Sequence, residues 1–252
     1  MKRRHNMFRL GACLALTFLF LACDPPTQNG NAASGDGQTA TPSAPGPKNG
    51  WLKAATNSQV QVDTLLTRRN FYIVLDGSGS MTESRCAGGS TKTVVAKQAI
   101  KRFAKLLGED DNLGFLAFDS RGITERFPLS LGNRDRFNAA VDDTGANSGT
   151  PLYTAVALAY SKLKEQAERQ LGYGEYHLIV VTDGEANGEP DVKGTIVNTI
   201  LAESPVVIHT IGFCIGPEHS LNQPGRVIYK DASNPKDIEE GLQAVLAEAD
   251  KF

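Results

Sequence analysis

The chain has 252 residues, 40% apolar and 21% charged, an ordinary balance for a soluble globular protein that fits one domain or two. Residues 1–22 hold Lys2, Arg3, Arg4 and Arg9, no acidic residue, and an unbroken apolar run from Leu10 to Ala22. Without that stretch, 22 Lys plus Arg (26 less 4) face 28 Asp plus Glu, a net charge of about −6 that excludes general attraction to nucleic acid or anionic headgroups.

Segment 1–22 reads as a secretory signal peptide. A membrane span needs about 20 apolar residues, and a core helix alternates with polar positions. Cys23 closes the run in Phe20-Leu21-Ala22-Cys23 and resembles the lipobox at which bacterial lipoproteins are cleaved and acylated. Ala22 and Cys23 match it, whereas Phe20 and Leu21 differ from the usual aliphatic-then-small pair. The resemblance implies an exported chain, palmitoylated at Cys23 and anchored on the periplasmic or cell-surface face of the membrane. Each buried methylene of such a chain contributes ~0.8 kcal/mol. Residues 24–50 contain five Pro and five Gly but no aromatic, Leu, Ile, Val or Met. Together, 23–50 read as the lipidated cysteine followed by a disordered tether, spanning roughly 30 Å root-mean-square.

From Trp51 onward, strands alternate with amphipathic helices, the pattern of one α/β domain over 51–252 with a mainly parallel sheet. Phe71-Tyr72-Ile73-Val74-Leu75 is a continuous apolar run of the buried-strand type. In the helix that follows, Val95, Ala99, Phe103 and Leu106 share one face, Lys97, Lys101 and Lys105 take the other, and Gly108 closes the end. Leu113–Phe118 and Ile123–Leu131 flank a turn-like Asp119-Ser120-Arg121-Gly122 and read as a hairpin. A long helix follows Pro151, with Leu152, Ala155, Val156, Ala159 and Leu163 on its apolar face. His177–Val181 reads as a strand, the stretch around Val192–Ala202 as a helix, and Val206–Ile211 and Val227–Tyr229 as strands. Asn234 caps the closing helix, with Pro235 in its first turn and Ile238, Leu242, Val245, Leu246 and Ala249 on one face. Six strands and about six helices in roughly 200 residues bury a sizeable core without extra staples.

Asp76-Gly77-Ser78-Gly79-Ser80 stands at the carboxyl end of the first strand, where an open parallel sheet places ligands at the reversal of strand order. One carboxylate and two hydroxyls at alternate positions present hard oxygens, the donors that Mg²⁺ prefers, and the glycines allow a tight loop. By itself such a run is also an ordinary strand-to-helix turn. Two further motifs single it out. Gly149-Thr150-Pro151-Leu152 stands before a helix, and Leu178-Ile179-Val180-Val181-Thr182-Asp183-Gly184 ends a strand.

Over about residues 68–252 these motifs resemble the von Willebrand factor type A (vWA) domain with its metal-ion-dependent adhesion site. Asp76, Ser78, Ser80, Thr150 and Asp183 match in order. The resemblance implies a doubly wound, Rossmann-like α/β fold with six strands in the order 3-2-1-4-5-6, the third antiparallel, flanked by helices. It implies Mg²⁺, or Mn²⁺ or Ca²⁺, contacted by the serines and the threonine directly or through water, with the aspartates often acting through bridging water. Neutral hydroxyls leave the cation's charge under-compensated, so a Glu or Asp of a protein ligand can replace a water. The implied function is protein binding and adhesion without catalysis.

Two other classes compete with that reading: a metal-dependent hydrolase, and a scaffold domain without a functional metal. A hydrolase needs a general base, but His177 and His209 fall inside strands, leaving His219 in the Gly212–Gln223 loop as the candidate. Gly88-Gly89-Ser90-Thr91-Lys92-Thr93 resembles part of a phosphate loop but lacks the glycine before lysine. Ser78 is not in a Gly-x-Ser-x-Gly elbow, because Asp76 and Ser80 flank it. With Cys13 removed and Cys23 acylated, Cys86 and Cys214 remain, both at the carboxyl end of the sheet in an oxidising compartment, and we expect a disulfide between them.

Overall fold

The computed structural model describes residues 51, 60–189 and 194–250, so the expected signal peptide, Cys23, the tether and Val192 lie outside it. A six-stranded sheet has the order β3-β2-β1-β4-β5-β6. Its strands are β1 (Arg69–Asp76), β2 (Asn112–Asp119), β3 (Gly122–Ser130), β4 (Glu175–Thr182), β5 (Val207–Phe213) and β6 (Ile228–Ala232). Only β3 runs antiparallel, paired with β2 across the Asp119–Gly122 turn; every other ladder is parallel.

The helices are α1 (Lys92–Leu106), α2 (Arg134–Asp142), α3 (Leu152–Arg169), α4 (Thr195–Glu203) and α5 (Pro235–Ala249). Because successive strand residues point to opposite faces, Phe71, Ile73 and Leu75 of β1 enter one core with α1, α2 and α5. Tyr72 and Val74 enter the other, against α3 and α4. Burial on both faces explains the unbroken apolar run of β1. Trp51 belongs to the second core, with ring centroids 5.8 Å from Tyr160 and 5.2 Å from Tyr176.

Several local expectations shift. Leu106 is 54% exposed, because the buried stripe of α1 runs through Ala96, Ile100 and Ala104 beside Val95, Ala99 and Phe103. The helix ends on an extended Leu107, and Gly108 N donates to Asp111 Oδ2 at 2.7 Å in place of a left-handed glycine cap. Helix α2 buries only Phe137 and Val141, too few apolar positions to stand out in the sequence. Strand β6 starts one residue after Val227, where its ladder with His209–Phe213 begins. Asn234 caps α5, accepting from Lys236 N and Asp237 N.

Candidate metal centre

Strand order reverses between β1 and its neighbours β2 and β4, and the loops leaving β1 and β4 meet at that point. Asp76, the last residue of β1, turns the chain: Oδ1 accepts from Ser78 N at 2.7 Å and Oδ2 from Thr182 Oγ1 at 2.6 Å. Close approach demands a glycine next. A Cβ on Gly77 would lie 2.5 Å from Phe118 O and 2.8 Å from Gly145 O. A 3-10 turn over Gly79–Thr82 then folds Ser80 back toward β4. Ser80 Oγ lies 3.0 Å from Ser78 Oγ and donates to Asp183 Oδ1 at 2.7 Å, while Ser78 Oγ reaches the same oxygen at 3.4 Å. Burial pushes the Asp76 carboxyl above its ordinary range; hydrogen bonds from Thr182 and Ser78 oppose this, and the charge of Asp183 adds to it.

The loop that carries Thr150 pairs with the loop that carries Ser78 and Ser80. Gly79 N donates to Ser148 O at 3.1 Å, Ser148 N to Gly77 O at 3.2 Å, and Asn187 N to Thr150 O at 3.0 Å. Asn187 Oδ1 accepts from Thr150 N at 3.1 Å, and Asn187 Nδ2 donates to Thr150 Oγ1 at 3.3 Å. Asp76, Ser78, Ser80 and Asp183 therefore form one hydrogen-bonded cluster. Among the described residues no hydrogen bond joins the Thr150 hydroxyl to it. Thr150 itself is buried.

Three residues outside the five candidate positions hold these loops. Asn187 does so as described. Glu189 caps α3, whose N-cap position is a proline without a side-chain acceptor: Oε1 accepts from Tyr153 N at 2.9 Å, and Oε2 from Thr154 N and Thr154 Oγ1 at 2.8 Å each. Lys92, dismissed above with the phosphate-loop lookalike, places its ammonium 2.7 Å from Asp183 Oδ2 and 3.1 Å from Glu83 Oε2. A signal for it did exist. Lys92 falls on the same helical stripe as Val95, Ala96, Ala99 and Phe103, and a charge in such a stripe needs a buried partner.

Cys86 and Cys214 are joined, with Cα atoms 5.9 Å apart, tying the loop after the 3-10 turn to the loop after β5. His177 and His209 are buried within the sheet, Nδ1 of the first 3.2 Å from Nε2 of the second, and burial with that neighbour drives His209 down to about 3. His219 is also buried. Leu221 N donates to its Nδ1 at 3.0 Å, so Nε2 carries the proton and donates to Gly184 O at 2.9 Å.

The donor set is one of hard oxygens: two hydroxyls and a carboxylate oxygen within hydrogen-bonding distance of one another, with Asp76 anchoring their loop and Thr150 on the loop that pairs with it. Such donors fit Mg²⁺, Mn²⁺ or Ca²⁺ and not a thiolate-seeking metal. Among the described residues no group of three or more His, Cys, Asp or Glu could hold a metal, so a cation here would take oxygens other than carboxylates as well.

The chain matches the model of the von Willebrand factor type A domain over residues 70–245. It is 26% identical over 165 residues to the uncharacterized protein YwmD of Bacillus subtilis (strain 168), covering 62% of this chain and 70% of that protein. Its fold is similar to that of a von Willebrand factor type A protein from Catenulispora acidiphila, with TM-score 0.54 and 20% identity over 72% of this chain and 42% of that one. It is also similar to the pilus adhesin SpaC from Lactobacillus rhamnosus GG, with TM-score 0.55 and 15% identity over 75% and 31%. The chain thus spans less than half of either solved chain. The family match runs from β1 into α5 and takes in all three loops of the cluster, and the chain belongs to the von Willebrand factor type A domain family.

Proposed function

We propose that this domain is a protein-binding module that captures its ligand through a divalent cation held by Asp76, Ser78, Ser80, Thr150 and Asp183. The observation that carries the reading is the convergence of Ser78 Oγ, Ser80 Oγ and Asp183 Oδ1 within 3.4 Å at the switch point of the sheet. Mg²⁺ bound there supplies a Lewis-acidic position at which a Glu or Asp of a partner can complete the coordination. Asp76 holds the first loop through Ser78 N, and Asn187 holds the Thr150 loop, so the donors need little reorganisation. Both ring nitrogens of His219 are engaged with backbone groups, which favours binding over hydrolysis. A pilus adhesin among the proteins of similar fold is in keeping with an adhesive role. The lipobox-like Cys23 and the tether would hold the domain on the periplasmic or cell-surface face of the membrane, off the bilayer.

The test is capture by immobilised full-length protein from a surface extract. In Mg²⁺ it should retain a partner and release it into chelator, and Asp76→Ala and Thr150→Ala should retain far less while remaining folded by circular dichroism. Undiminished capture by Asp76→Ala in chelator removes the cation from the account.

A further inference from the structure

Asp183 is a divided carboxylate. Its Oδ1 faces the two serine hydroxyls, and its Oδ2 accepts from Lys92 Nζ at 2.7 Å. Both side chains are buried, at 1% exposure for Lys92 and 0% for Asp183. A buried ammonium persists only when paired and hydrogen-bonded. Lys92 meets that condition entirely with groups of the cluster and its loop: Asp183 Oδ2, Glu83 Oε2 at 3.1 Å and Ser80 O at 3.5 Å. Its own backbone N–H donates to Glu83 O at 2.9 Å, fixing the root of the side chain against the loop that carries Ser78 and Ser80.

We propose that Lys92 is a resident counter-cation of the Asp183 carboxylate: it holds Asp183 in place in the metal-free protein and opposes a divalent cation on the carboxylate's other side. The inference rests on the metal reading above and adds to it a setting of affinity. Two cations sharing one carboxylate in a poorly solvated site repel each other, so the lysine keeps cation affinity low. With both aspartates ionised, a divalent cation and the Lys92 ammonium leave the buried cluster with one positive charge in excess. Glu83, 53% exposed, is screened by water and offsets little of it. A partner carboxylate neutralises that excess, so cation and acidic ligand bind cooperatively.

Lys92→Met keeps the length of the side chain and removes the charge. In the full-length chain, calorimetry should give Mg²⁺ and Mn²⁺ dissociation constants about tenfold or more below those of the wild type, since one elementary charge is lost beside the cation. Urea midpoints should fall in the metal-free variant and recover at saturating Mg²⁺, because Asp183 then regains a counter-charge. A lysine with only a packing role would, on removal, weaken cation binding, so the sign of the change is the readout. A wild type that binds Mg²⁺ and a folded Lys92→Met that binds it equally or more weakly overturns the counter-cation and leaves the metal reading standing. Absence of binding in both proteins overturns the two together. If Lys92→Met does not fold without metal, folding induced by Mg²⁺ supports the inference, and failure to fold at saturating Mg²⁺ contradicts it. In the wild type, ¹³Cε-labelled lysine provides a second measurement: the Lys92 resonance should move as Mg²⁺ binds, and an unmoved resonance at saturation overturns the proposal.

Discussion

Glu189→Ala removes the acceptor that caps α3 one turn from Thr150. In the folded protein that carboxylate takes two backbone N–H groups and the Thr154 hydroxyl, and it is 8% exposed. Hydrogen bonds to a charged acceptor contribute about 1.5–3 kcal/mol each, and a carboxylate at a helix N-terminus adds about 0.3–1 kcal/mol. Some of the freed donors turn to water once the side chain is gone, so the net loss is about 3 kcal/mol. Glu189→Gln keeps an acceptor but loses the charge, and should cost about half as much. Urea unfolding followed by circular dichroism measures both, with an unchanged denaturant slope as the sign that only stability moved. Loosening of α3 should also carry Thr150 away from the serines and weaken Mg²⁺ binding. A Glu189→Ala protein within about 0.5 kcal/mol of the wild type, the range of ordinary surface substitutions, would refute the capping argument.

Three other outcomes follow from the same contacts. The disulfide closes a separation of 128 residues, so Cys86→Ser with Cys214→Ser should lower stability by about 5 kcal/mol in the chain-entropy treatment; two free thiols found by mass spectrometry under non-reducing conditions would contradict the link. Burial pushes the Asp119 carboxyl up, but Arg121, the N–H groups of Gly145 and Arg121, and Arg126 outweigh it and hold the group at about 2. A depressed folded-state pKa means stability that is complete above the ordinary carboxylate range near 4 and lost as pH falls through about 2, so Asp119→Asn should be less stable at pH 7 and flatter below pH 4; parallel acid-unfolding curves count against this. Cys23→Ala should free the protein from membranes or leave it unprocessed, and unchanged fractionation with unchanged acyl labelling would dispose of the anchor.

Periodicity was enough to find most of the fold, because β1, α3 and α5 carry long apolar patterns that only one kind of burial satisfies. It failed where few side chains are buried, as in α2, and at α1's end, where Leu106 turns outward. The candidate site divides in the same way. Asp76, Ser78, Ser80, Thr150 and Asp183 lie in short motifs at element ends, so the family resemblance could single them out as candidates. Asn187 and Glu189 could not, since their roles depend on which loop folds over α3. Lys92 lay between these cases: its place on a buried stripe was visible, but its partner was not, because the 91 residues separating it from Asp183 close only in the folded sheet.

On the reading proposed here, Asp76, Ser78, Ser80, Thr150 and Asp183 act as one divalent-cation site. Calorimetric titration of the full-length chain with Mg²⁺ decides whether they do. One saturable site is expected, lost or greatly weakened in Asp76→Ala, Thr150→Ala and Asp183→Asn, all folded by circular dichroism; the amide at position 183 removes the charge while keeping an acceptor for Lys92. No saturable binding of Mg²⁺ or Mn²⁺ by the wild type, or equal binding by all three variants, would contradict it.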